Sequence, residues 1–388
     1  MTAPGPAGAP AVIAIDGGNS KTDVALVAGD GALMASVRGP GVDPQHHGVA
    51  ETVEMLGGLV EKAVASAGTR GWPLARHLCA CVANADLPED EERVAEALRA
   101  QGWTVTTSVV NDTFAVLRAG LDDGASQADR TANGHWGVAV TCGAGMNCVG
   151  VAPDGRTHRY LALGTVSGDW GGGYGLGLAA VWWAMRAEDG RGPGTALRET
   201  VPPHFGLDTM YDVAVGLDRD TFSEDEVVGL APVLFATATA GDQVAKGLII
   251  RQGHEICLMV LATMRELELT GPGTPVVLGG GLLTARDPLL TATIADRLAA
   301  DAPGSVMRLI DVPPIAGAAL LGLDQVQATP DAHARLRAAY GDPGRPDRLG
   351  AAARAGGEHM ASRRPLPLGW RTCRVTNTAA DPAGPRSN

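Results

Sequence analysis

The chain has 388 residues, a formal charge of −12, 45% hydrophobic and 19% charged residues. That length allows two domains, since single cores rarely grow past about 250 to 300 residues, and the composition excludes a disordered chain. The acidic balance argues against nucleic acid or an anionic membrane as partner, because both demand a basic face, and leaves a small-molecule substrate.

The opening, Met1 to Pro10, has neither a basic segment nor an apolar core of the kind a secretory leader needs. The longest later apolar run, Ile256 to Met264, is too short to span a bilayer, so a soluble cytoplasmic protein is expected. Ala11 to Ile15 is a short apolar run closed by Asp16-Gly17-Gly18, which predicts a buried strand ending in a tight turn. Asp23 to Ala28 and Ala32 to Val37 continue it as a β-meander. Val53, Leu56, Val60 and Val64 recur at helical spacing within residues 49–67, Leu78 to Ala83 reads as a strand, and Glu89 to Gln101 as an amphipathic helix. Val105 to Val110 is a strand that runs into Asn111-Asp112, and residues 113–120 return to helix.

The polar stretch Leu121 to His135 carries turn signals and marks a boundary between lobes. Beyond it the opening repeats in outline: strand Trp136 to Thr141, glycine turn Gly143 to Gly145, strand Cys148 to Ala152. Helical sequence dominates residues 179–185 and 240–269, and Pro275 to Leu278 is a last buried strand before Gly279-Gly280-Gly281. The expected domains are residues 1–125, 126–325 and an Arg-, Pro- and Ala-rich flexible tail over 326–388 that begins as a helix remnant.

Three glycine turns, each directly after a buried strand, carry the chemical signal: residues 16–23, 141–148 and 278–282. Glycine there lets backbone N–H groups approach an anion closely. No GxxxxGK[ST] occurs, so the turns are not a P-loop, and no GxGxxG opens an early βαβ unit. The six cysteines, at 79, 81, 142, 148, 257 and 373, show neither a disulfide framework nor zinc spacing.

These segments resemble the N-acetylglucosamine kinase-like, BadF/BadG group of acetate/sugar kinase/Hsp70/actin proteins. Residues 16–23 are similar to its phosphate-1 loop, 111–120 to its catalytic aspartate and first connecting helix, and 141–148 to its phosphate-2 loop. Residues 276–283 are similar to its adenosine motif and 313–322 to its second connecting helix. The resemblance implies a two-lobed α/β actin-like (ribonuclease H-like) ATPase fold, with ATP and Mg²⁺ in the interdomain cleft, and a homodimer. It implies that Asp16 holds the metal through water and that Gly17, Gly18, Asn19, Ser20, Lys21 and Thr22 contact the phosphates. Thr141, Gly143, Ala144, Gly279, Gly280 and Gly281 complete the nucleotide site, and Asp112 is the base that activates a sugar hydroxyl. The alternative for Asp112 is a helix N-cap, for Asp16 a turn cap, and for Lys21 a solvated turn residue.

By the same resemblance the sugar meets Asp43, Asp112, Gly145, Met146, Asn147, Asp169 and Trp170. Here the chain departs from the family pattern. Asp43 stands for an asparagine, Met146 for a hydroxyl residue, Leu163 for a tryptophan, and Trp170 for a glutamate. Trp170 either stacks on the sugar or packs under the following glycine turn; His46 and His47 are exposed loop residues or sugar contacts. Trp182 and Trp183 are core or dimer-interface residues. The implied activity is phosphoryl transfer from ATP to an amino sugar, N-acetylglucosamine or a relative such as glucosamine. The rival is an ATP-driven conformational activator whose cysteines bridge subunits through an iron–sulfur cluster, for which Cys79 and Cys81 are the one close pair.

Overall fold

The computed structural model describes residues 10–45, 47–122, 135–269 and 271–341. His46, Cys373, most of the boundary stretch and the tail beyond Gly341 therefore lie outside the described residues.

Strands β1 (Val12–Gly17), β2 (Lys21–Val27) and β3 (Leu33–Pro40) form the expected antiparallel meander. Helix α1 (Val49–Ala67) crosses to β4 (Ala75–Val82), and α2 (Pro88–Ala100) crosses to β5 (Thr104–Asn111). Both crossovers return parallel strands, giving a sheet of order β3-β2-β1-β4-β5. The near-continuous burial of β1 and β4 explains their unbroken Val/Ile/Ala/Cys runs, since helices cover both faces of such strands.

Helix α3 (Asp112–Gly120) leads to the second sheet. There β6 (Gly137–Cys142), β7 (Met146–Val151) and β8 (Thr157–Arg159) form an antiparallel meander, joined on the other side of β6 by parallel strands β9 (Pro275–Gly279) and β10 (Val306–Leu309). Its order, β10-β9-β6-β7-β8, is the first sheet's pattern repeated, so the echo seen in the sequence is a duplicated topology.

Between β8 and β9 the second lobe carries α4 (Gly172–Glu188), α5 (Leu197–His204), α6 (Met210–Asp218), α7 (Glu224–Val228), α8 (Leu230–Thr239) and α9 (Gln243–Glu266). Helices α5 to α8 carry no assignment from periodicity, because they are short and α5 contains Pro202 and Pro203. They build the largest core, with Leu176, Leu197, Met210, Leu230, Ile249 and Val260 buried together. The one-turn helix α10 (Gly281–Thr284) and helix α11 (Pro288–Asp301) precede β10. No single described helix is long and apolar enough to cross a membrane.

Two helices change sides. Helix α3, from the first half, packs on the second sheet: a methyl at Gly120 would lie 2.3 Å from Val277, and Val116 and Leu117 share a cluster with Ala139 and Val277. Helix α12 (Pro314–Gln325), from the second half, packs on the first sheet through Ile315, Ala318, Ala319 and Leu323 beside Val12, Cys79 and Cys81. The two cross so closely that a methyl at Gly317 would lie 1.9 Å from the Ala115 carbonyl oxygen. The expected helix remnant is α13 (Pro330–Gly341), a full three turns whose Leu336 is buried in the same cluster as α12.

Candidate active site

The parallel pairing of β1, β4 and β5 sets Gly17, Val82 and Asn111 in one row at the sheet's carboxyl edge. Asp16, one residue inside that row, and Asp112, one residue beyond it, therefore face the same space, where α/β sheets place their ligands. Burial, and then the neighbouring Asp112 and Asp23, push the Asp16 carboxyl up to about 8; Lys21 and Arg38 offset this only in part. Asp23 is itself held by Arg38 in a two-pronged pair at 2.7 and 2.9 Å. A carboxyl so raised is stabilised as a carboxylate by an added cation. That fits a hydrated Mg²⁺ at this loop.

The loop is shaped by close backbone approaches. Gly18 N–H donates to the Lys21 carbonyl at 3.0 Å, and the Val42 N–H donates to the Gly18 carbonyl at 3.0 Å. Asn84, in the left-handed region at φ 59°, donates its side-chain amide to Asn19 Oδ1 at 2.9 Å. Ser20 and Lys21 remain exposed at the tip.

In the second lobe the phosphate-2 turn is closed by the Gly143 N–H donating to the Gly145 carbonyl at 2.9 Å. The first N–H groups of α4 cap it: Gly173 donates to the Gly143 carbonyl at 2.7 Å and Tyr174 to Ala144 at 3.0 Å. Pairing of Thr141 with Gly279 brings the third glycine turn alongside, and Gly280, at φ 90°, has its backbone so near Cys142 that a methyl would lie 2.4 Å from the carbonyl oxygen. Thr141 Oγ1 is buried without a partner, as Thr22 Oγ1 is in the first lobe.

Asp112 is the first residue of α3, but the N-cap is Asn111, whose Oδ1 accepts from the Thr113 N–H at 2.9 Å. The expectation of a capping role for Asp112 thus falls one residue away. Burial pushes Asp112 up to about 6, with hydrogen bonds from Thr113 restraining the rise. Across the cleft Asn147 donates to Asn111 Oδ1 at 3.2 Å and to Asp86 Oδ1 at 3.4 Å. Asn147 Oδ1 accepts from the Cys148 N–H at 2.7 Å, which orients the amide. Asp169, held by Ser167 Oγ at 2.6 Å, stands near enough to raise Asp86.

Other expected sugar contacts are placed elsewhere. Met146 alternates with Asn147 along β7, so it points into the core, where Gln252 donates to its sulfur. Trp170 packs against the same core and has the Arg251 guanidinium 3.9 Å from its ring centre, so that face is covered. Asp43 Oδ1 accepts from the Gln45 N–H at 3.0 Å, within its own loop. Leu163 is exposed; Trp183 packs against the core while Trp182 is exposed beside it. Cys79 and Cys81 are buried beneath α12, so they offer no surface ligands for a cluster shared between subunits.

Three residues that motif reading passed over complete the site. Asp86 lies between Asn111 and Asn147; Glu91, on α2, accepts from the Asn111 N–H at 2.7 Å. Arg159, from β8 of the other lobe, pairs with Glu91 at 2.8 and 2.9 Å. The one sequence signal available was Asn84-Ala85-Asp86 at the end of β4, which parallels Asn111-Asp112 at the end of β5.

The chain is 27% identical over 275 residues to an N-acetylmuramic acid/N-acetylglucosamine kinase of Clostridium acetobutylicum, covering 70% of this chain and 85% of the relative. It is 23% identical over 322 residues to an N-acetyl-D-glucosamine kinase of Dictyostelium discoideum, covering 80% and 97%. A crystal structure from Chromobacterium violaceum, described as a candidate N-acetylglucosamine kinase, shares the fold with a TM-score of 0.62 at 23% identity, covering 81% of this chain and 99% of that one. The model of the BadF/BadG/BcrA/BcrD ATPase family matches residues 13–322, and with its two duplicated sheets of actin-like ATPase topology the chain belongs to that family.

Proposed function

We propose that this protein is an ATP-dependent sugar kinase that transfers the γ-phosphate of ATP to a hydroxyl, O6, of N-acetylglucosamine or a close relative such as glucosamine. The observation that carries this reading is Asp112: a half-buried carboxyl raised to about 6, relieved of capping by Asn111, with Asp16 near it and the Asn147 amide bonded to the adjoining Asn111. The kinases of Clostridium acetobutylicum and Dictyostelium discoideum support the acceptor class.

In this mechanism the phosphates of ATP lie between the residue 17–22 turn and the residue 141–144 turn, and the adenosine lies against Gly279, Gly280 and Gly281. The exposed Lys21 and the unpartnered Thr141 hydroxyl donate to phosphate oxygens. Asp16 would hold magnesium, which when bound would supply neutralisation of phosphate charge. Ionised Asp112 accepts the proton of the sugar hydroxyl as its oxygen bonds to the γ-phosphorus, the bond to the β-phosphate oxygen breaks, and ADP leaves. A base near 6 is mostly ionised at neutral pH and still basic enough to take a proton. The proposal includes lobes at residues 1–125 and 126–325, closure of the cleft to exclude water, a cytoplasmic location and a homodimer.

The test is ADP release by purified protein with MgATP across glucosamine, N-acetylglucosamine, N-acetylmannosamine, glucose and no sugar. Stimulation by one amino sugar is the expected result; release that no sugar changes moves the assignment to an ATPase switch.

A further inference from the structure

Asp86 has no task in the mechanism above, yet it sits where the lobes meet and is only 7% exposed. Its Oδ1 accepts from the Asn111 amide at 2.9 Å and from the Asn147 amide at 3.4 Å, one from each lobe. Neither amide can turn away without loss. Asn111 Oδ1 is committed to the Thr113 N–H and Asn147 Oδ1 to the Cys148 N–H. The carboxylate is therefore held by amides from both sheets, next to the Asn111 cap of the helix that begins with Asp112.

What surrounds it is almost all negative. Burial and then Asp112 do most to push Asp86 up, to about 7, with Asp90 and Asp169 adding to them, and Arg159 is the cation that opposes them. Arg159 is bound in two-pronged fashion to Glu91, so its charge is already shared. A buried carboxylate with two neutral amide donors is better satisfied by a ligand that brings further O–H or N–H donors. It is poorly matched to a ligand that brings a second carboxylate.

We propose, building on the kinase reading, that Asp86 is a specificity-determining residue of the acceptor site. It accepts hydrogen bonds from the hydroxyl or amino donors of an uncharged or cationic amino sugar and, with Asp112 and Asp169, rejects sugars that carry a carboxylate.

The experiment measures kcat and KM for N-acetylglucosamine, N-acetylmuramic acid and the methyl ester of N-acetylmuramic acid, which keeps the bulk of the acid without its charge. In the wild type, kcat/KM is expected to be about 100-fold higher for N-acetylglucosamine than for the acid, and about 10-fold higher for the ester than for the acid. In Asp86→Asn, the KM for N-acetylglucosamine rises about 10-fold or more, the KM for ATP stays within about twofold, and the ester-to-acid ratio falls toward one. Equal use of acid and ester by the wild type overturns the proposal without any variant having to fold. An unchanged acceptor KM and unchanged ratio in a folded Asp86→Asn overturn it as well. If no sugar stimulates ADP release at all, the kinase reading falls, which is a distinct outcome from a kinase that ignores acceptor charge.

Discussion

Two adjacent residues divide the work at the start of α3. Asn111 caps the helix and bonds both Asp86 and Asn147, which leaves the Asp112 carboxyl free for the role of base proposed above. Asp112→Asn keeps the shape and removes the basicity. The expected result is a fall in kcat of about a thousandfold with the dissociation constant for ATP nearly unchanged, measured by coupled assay and calorimetry. Turnover near the wild-type value would remove Asp112 from the mechanism. Titration offers a second check. Asp112 acts as a carboxylate, so activity should drop about tenfold per pH unit below about 6. Stability should move the other way. The folded pKa values of Asp16, near 8, and Asp112, near 6, lie above the ordinary carboxylate value. Their contribution is therefore complete at low pH, below that ordinary value, and is lost as pH rises through 6 to 8. The melting temperature of Asp16→Asn should fall less between pH 5 and 8 than that of the wild type, and an equal fall in both proteins would refute the assignment.

At the level of elements, the proposed nucleotide site consists of strand ends meeting glycine turns more than of side chains. Gly280 has φ 90° and ψ 159°, a region open essentially to glycine alone, and its Cα faces the backbone of Cys142. Gly280→Ala should cost of order 1 to 3 kcal/mol from backbone strain alone, and more from the contact. Because the displaced backbone belongs to β6 next to the phosphate-2 turn, the loss should include ATP affinity. Thermal unfolding with and without MgATP checks both, and a variant as stable and as responsive to ATP as the wild type would show that the turn is not part of the nucleotide site. Alternation on β7 works in the same spirit: it aims Asn147 at Asn111 and Asp86 and buries Met146 against Gln252, so adjacent residues serve different ends.

Across the whole molecule, the crossing of α3 and α12 is the junction between lobes, and it carries a buried charge cluster. Arg118 on α3, 2% exposed, donates to Asp324 on α12 at 2.7 Å, and His333 on α13 stands 2.8 Å from the same carboxylate. Burial alone would raise Asp324, but His333 and Arg118 together hold it well below the usual carboxylate range. Removing that carboxylate leaves a buried guanidinium without its ionic counterpart. Asp324→Ala is therefore expected to lose about 3 kcal/mol or more, read as a lowered urea midpoint. A change under about 1 kcal/mol would mean the cluster is solvated and does not hold the junction. The pair Arg159 and Glu91 links β8 of the second sheet to α2 of the first, beside the start of α3.

Strand and helix positions around the first meander, the three glycine turns and the aspartate at the end of β5 were all legible in the sequence. Each depends on local rules: apolar runs of strand length, glycine where backbones approach, a polar residue opening a helix. The sequence alone also showed the family's ordered set of loops, and hence the fold. What only the tertiary structure decided were relations between distant segments. Asp86, Glu91 and Arg159 became part of the site because β4, α2 and β8 converge there, a meeting with no local signature. Strand alternation points Met146 into the core, and Trp170 packs against the same core with the Arg251 guanidinium over its other side, relations that no local pattern announces. The physical reason is the same in each case: a residue's chemistry is local, but the charge, burial and hydrogen bonds that give it a role come from chain far away in sequence.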